Sequence, residues 1–61
     1  MPIIHVHTGP LESEQRAALA DNLTTAANSI LEHLPREAFI VVMHEHNRDQ
    51  VAVGGTLLCD R

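Results

Sequence analysis

Five apolar residues in a row, Phe39-Ile40-Val41-Val42-Met43, lack the alternation of a strand that shows one side to water. A run of this kind reads as a strand covered on both faces, the habit of parallel pairs joined by a crossover helix. A partner strand precedes it. Ile3 to Thr8 is rich in β-branched residues and stops at the turn signal Gly9-Pro10. Within it Ile4 and Val6 share one face, and Ile3, His5 and His7 the other. Between the two runs lies a helix. Ser13 is expected to cap it, with Glu14 in its first turn. Leu19, Leu23, Ala26, Ala27, Ile30 and Leu34 recur at three and four residues, opposite Asp21, Asn22, Thr25, Asn28 and Glu32. Pro35 disfavours helical geometry at Leu34, so the helix is expected to end by His33. Strand, helix, strand makes one right-handed βαβ unit, whose helix covers only one side of the sheet.

The uncovered side matters because the chain is short. A domain of 61 residues buries only about 60% of its unfolded surface. Cys59 is the one cysteine, which excludes an internal disulfide and fits a reducing compartment. Self-association is the remaining source of stability. Downstream, His44-Glu45-His46 continues the second strand, Asn47 to Gln50 forms a polar turn, and Val51-Ala52-Val53 a short strand. Gly54-Gly55 permits a tight bend before a last strand, Thr56 to Cys59. No repeat or linker interrupts residues 1–61, which read as one domain.

Composition removes several functions. The net charge is −4, and four scattered arginines with no lysine make no phosphate-binding patch, so no nucleic-acid partner is expected. Phe39 is the single aromatic residue, so stacking platforms for bases are missing. No run approaches the roughly 20 apolar residues of a membrane span, and no signal peptide opens the chain. The expectation is a soluble cytoplasmic protein without a membrane partner.

Chemistry enters at the N-terminus. Once Met1 is trimmed, Pro2 carries a free secondary amine, a base held at the first position of a strand rather than on a loop. The plain reading is that proline is simply tolerated where its missing N–H removes no ladder bond.

A proline-first chain of this length that runs β-α-β and ends in a small Gly-Gly hairpin resembles the tautomerase superfamily, in its short 4-oxalocrotonate tautomerase-like form. The matching positions are Pro2 with Ile3, His7, Ser13, Pro35, Glu45 and Val53-Gly54-Gly55. The resemblance implies an α+β fold: a βαβ subunit with a C-terminal β-hairpin, two subunits forming a four-stranded sheet and three dimers a hexamer. It also implies cofactor-independent isomerase chemistry, Pro2 acting as general base and then acid on an enol or unsaturated keto acid. Where family members place two arginines and a phenylalanine around the substrate, this chain has Glu12, Ile40 and Val51. A dicarboxylate substrate is therefore not expected, since Glu12 would repel it, and the loss of cations tends to raise the Pro2 pKa. Arg36 and Arg48, from neighbouring subunits, are the candidate replacements.

Other readings stay open beside the isomerase. Hydration or dehalogenation would use the same amine as an acid. A fold that has lost catalysis would serve as a binding or assembly module. The pairs His5/His7 and His44/His46 place four imidazoles where parallel strands could gather them, a zinc or copper geometry, although the resemblance supplies no metal and hydrogen bonding is the expected use. Cys59 beside Asp60 is not expected to be a nucleophile.

Overall fold

The computed structural model describes residues 1–61. Strand β1 (Ile3–Thr8) and strand β2 (Ile40–Glu45) are joined by helix α1 (Ser13–Ile30) and pair in parallel, Ile3 beside Ile40 and His7 beside His44. The ladder runs one bond past each end: Ile40 N–H donates to Pro2 O (3.0 Å) and His46 N–H to Thr8 O (2.8 Å). Strands β3 (Ala52–Val53) and β4 (Thr56–Leu57) form a separate antiparallel hairpin.

The helix boundaries differ from the sequence reading. Glu12 rather than Ser13 is the cap, and its N–H donates to Gln15 Oε1 (2.8 Å) in a capping box. At the other end the helix stops at Ile30, three residues before His33. Asn28 explains the exit. Its Nδ2 donates to Leu31 O (3.4 Å) and Leu34 O (3.0 Å), holding carbonyls that a further helical turn would otherwise use. Asn28 is thus half-buried and not on the wet face, while Ile30, assigned to the apolar stripe, is 81% exposed. The last strand is shorter than expected, because Leu58–Asp60 coils into a single 3-10 turn.

Glycine settles the hairpin. Gly54 and Gly55 have φ of 60° and 86°, the pair of left-handed residues a two-residue type I′ turn requires. Gly55→Ala is expected to cost about 1–2 kcal/mol in a thermal melt, the penalty of a Cβ in that region. An unchanged melting temperature would count against a fixed turn.

One subunit is far from self-sufficient. Phe39, 8% exposed, is the only buried residue. The chain is a slab of 46 × 24 × 14 Å with a radius of gyration of 14.8 Å, against about 10.5 Å for a compact chain of this length. Its surface is 4525 Å², against about 3,900 Å² expected for its mass. Helix α1 lies over the face of Ile4, Val6, Val41 and Met43. The opposite face, with Ile3 51% and Ile40 39% exposed, has no cover, so β2 is not enclosed on both sides within one subunit. The hairpin is exposed along its whole length.

Candidate functional site

Pro2 sits half-buried at the start of β1, its carbonyl fixed by Ile40 N–H. Ile40 is therefore its ladder neighbour across the sheet. Glu12 and Val51 belong to the far end of β1, six residues and roughly 20 Å away at strand rise. Within one subunit the proposed residues do not meet. Pro2 and Ile40 share one end, Val51 and Arg48 line a concavity at the other, Glu12 caps helix α1 and Arg36 is bound to that helix.

The far end is the better organised. Gly9 to Leu11 turn the chain from β1 into α1, and Glu45, the last residue of β2, ties that turn down. Its Oε1 accepts from Leu11 N–H (3.0 Å) and its Oε2 from Arg16 (3.3 Å), while Arg16 also donates to Leu11 O (3.1 Å). The Asn47–Gln50 turn is held by Gln50, whose side chain accepts from Asn47 N–H (2.9 Å). Leu58 N–H donates to Val51 O (2.9 Å) and closes the base of the hairpin. These contacts frame a concavity of about 250 Å³ lined by His7, Thr8, Gly9, His46, Arg48 and Val51 among others.

The two candidate arginines are differently placed. Arg36, in the 3-10 turn Arg36–Ala38, is spent on helix α1: it donates to Thr25 Oγ1 (3.0 Å) and pairs with the Asp21 carboxylate. Arg48 has no carboxylate partner. It donates to Leu58 O (2.7 Å) and lines the concavity.

The four imidazoles do gather, in a form the sequence did not specify. His5 Nδ1 lies 2.9 Å from His44 Nε2, and His7 Nδ1 lies 3.0 Å from His46 Nε2. In each pair the rings are nearly coplanar (18° and 4°) with centroids 5.1 and 5.3 Å apart, so they meet edge to edge. His7 stacks on His44 at 4.3 Å and 10°, joining the pairs into one ladder. Burial, then His7, His5 and His46 in that order, push the His44 imidazole below its ordinary value. The paired nitrogens face each other and not a common third point, and no group of three or more His, Cys, Asp or Glu is arranged to hold a metal ion. Cys59 is exposed, its Sγ 3.8 Å from Asp60 Oδ1. No helix is long and apolar enough to cross a membrane.

None of the curated proteins compared with the chain matches it. Among solved structures, TomN, a 4-oxalocrotonate tautomerase homologue of the tomaymycin biosynthetic pathway, is 33% identical and superposes with a TM-score of 0.88 over 98% of this chain and 92% of that one. A second 4-oxalocrotonate tautomerase homologue is 32% identical, with a TM-score of 0.87 over 100% and 97%. A heterohexameric 4-oxalocrotonate tautomerase from Chloroflexus aurantiacus, at 23% identity, shares the fold, with a TM-score of 0.85 over 98% and 97%. The family model described as tautomerase enzyme matches residues 2–61. A βαβ subunit with a Gly-Gly hairpin, matched along all but its first residue, thus belongs to the tautomerase family.

Proposed function

We propose that the protein is a cofactor-independent tautomerase in which the Pro2 amine, freed by removal of Met1, moves a proton in an enol or unsaturated keto acid. The observation that carries this is the anchoring of Pro2: its carbonyl is locked to Ile40 at 3.0 Å, so the nitrogen beside it has a fixed place. With Met1 attached that nitrogen is an amide and has no basicity. The reading is tested by intact mass together with ketonisation of alkyl or aryl 2-hydroxy-enoic acids. Purified protein that retains Met1 and still turns over substrate at the full rate would sink it.

The site is completed between copies. Both strands of the two-stranded sheet have an open edge, and a two-fold axis that pairs β1 with its own copy runs the two strands antiparallel. That pairing makes the four-stranded sheet and carries one copy's Pro2 to the Thr8–Gly9 end of the other, beside the concavity with Arg48. Three such dimers would make a hexamer, and heterohexamer is what the Chloroflexus aurantiacus relative is called.

Arg48 then supplies the cation that positions 12 and 40 lack. It holds one carboxylate, which fits a monoacid substrate better than a dicarboxylate facing Glu12. Arg48→Ala is expected to raise KM about tenfold or more with a smaller change in kcat, the loss of a charge-assisted bond of about 1.5–3 kcal/mol. Arg36→Ala is expected to leave KM within about twofold, because its guanidinium is engaged by Asp21. The reverse pattern would reassign the carboxylate to Arg36.

A second reading is favoured by two observations, that Ile40 beside Pro2 offers an aliphatic side chain and that Arg36 is occupied by helix α1. On that reading the chain is an assembly module without catalysis. Substrate saturation with no turnover, in protein shown to begin at Pro2, would select it.

A further inference from the structure

We infer that His46 donates a hydrogen bond from Nδ1–H to the C2 oxygen of the substrate, and that His7 holds the ring in that role. The inference deepens the proposed function and rests on its carboxylate site at Arg48. It names the ligand class as a 2-oxo or 2-hydroxy-enoic monoacid, met by a guanidinium at C1 and an imidazole at C2.

The need is chemical. When a base takes the proton of an enol, or one next to a ketone, negative charge gathers on the C2 oxygen, and a fixed donor there lowers the barrier. Ile40, the ladder neighbour of Pro2, is aliphatic and supplies none. The concavity does. His7 and His46 line it together with Arg48, and no carboxylate does. The carboxylate and the oxygen at C2 sit on adjacent carbons, so one small cavity can serve both.

Counting protons shows that a donor is always present. The 3.0 Å bond between His7 Nδ1 and His46 Nε2 takes one N–H and one bare nitrogen. Two uncharged rings carry two protons, which leaves one for the outer nitrogens, His7 Nε2 and His46 Nδ1. A further proton on the pair gives both outer nitrogens an N–H. Every state that keeps the bond therefore presents at least one. Exposure decides where it goes. His7 is exposed and His46 half-buried, so water satisfies His7 Nε2 with or without a proton. An oxygen anion in the concavity then draws the N–H to His46 Nδ1, with His7 Nδ1–H donating from behind.

Orientation is built in. The His46 backbone N–H donates to Thr8 O (2.8 Å), which ties the residue to β1, and His44 stacks on His7 at 4.3 Å and 10°. The donor ring is thus held at its backbone and at its inner nitrogen before a ligand arrives, the condition under which such a donor is most effective.

The test is a nitrogen NMR titration of histidine-labelled protein with 2-oxobutanoate, a monoacid that carries both oxygens, assigned with His46→Leu and run beside ketonisation kinetics. Saturating 2-oxobutanoate is expected to place the His46 proton on Nδ1 and to shift that signal, in wild type and in Pro2→Ala alike. His46→Leu, folded by circular dichroism, is expected to lower kcat by about 10²–10³-fold, the loss of one such donor. His46→Asn, whose amide N–H falls near Nδ1, is expected to stay within about tenfold of wild type. A His46 that keeps its proton on Nε2 in saturating 2-oxobutanoate overturns the inference, as do His46 signals that 2-oxobutanoate leaves unmoved. So does a kcat for His46→Leu within about threefold of wild type. An Nδ1–H that answers 2-oxobutanoate in protein without turnover supports the donor and its ligand class, and removes instead the catalytic role of Pro2.

Discussion

Pro2→Ala is expected to lower kcat for ketonisation of a 2-hydroxy-enoic acid by about 10²–10⁴-fold, the usual contribution of a positioned general base. The substitution leaves an α-amino terminus in the same place, because the anchor is the backbone carbonyl at position 2, bonded to Ile40 N–H. What it removes is the secondary amine held rigid by its ring. KM should change little if Arg48 does the binding, so the loss should sit in kcat. An amine base works only when uncharged, so the wild-type rate should climb with pH and level off once the terminal amine has lost its proton. A rate for Pro2→Ala within twofold of wild type would remove the catalytic role of the terminus while leaving the fold untouched.

Phe39→Ala is expected to have the largest effect on stability. Phe39 alone is enclosed within a single subunit, and truncation of a buried phenylalanine costs about 3–5 kcal/mol. A domain of this length has roughly 3–9 kcal/mol in total. The melting temperature, followed by circular dichroism at fixed protein concentration, should drop by about 15 °C or more, or the chain should fail to fold. A drop of only a few degrees would mean that contacts between copies, rather than Phe39, carry the fold.

Much of the backbone was legible because it obeys short-range rules. The strand Ile3–Thr8 was read with its observed limits from β-branched content and Gly9-Pro10. The parallel pairing followed from the apolar run at Phe39 to Met43, and the hairpin from Gly54-Gly55. Misreadings fell where a side chain reached across the sequence. Asn28 looked like a wet-face residue until its bonds to Leu31 and Leu34 were seen to end the helix. Ser13 fits a cap by type, but Gln15 reaches back to Glu12 and moves the boundary by one residue.

The candidate site was legible only as a set of residues. Pro2, Glu12, Ile40, Arg36, Val51 and Arg48 could be named from the chain, but not which of them share an end of the subunit. Distance along a parallel strand separates Pro2 from Glu12, and the ion pair with Asp21 separates Arg36 from Arg48 in availability. The histidines show the same division. Two His-x-His pairs are plain in the sequence, but a one-residue slip in register would turn half of the rings to the helix side.

By itself, then, the sequence determined the order of the elements and the need for company. Local backbone preference and hydrophobic period act over a few residues, and 61 residues cannot enclose a core alone. Only the tertiary structure decided which nitrogens touch, which arginine is free and which face stands open. Those depend on strand register and on contacts between residues up to 39 positions apart, which no local rule encodes.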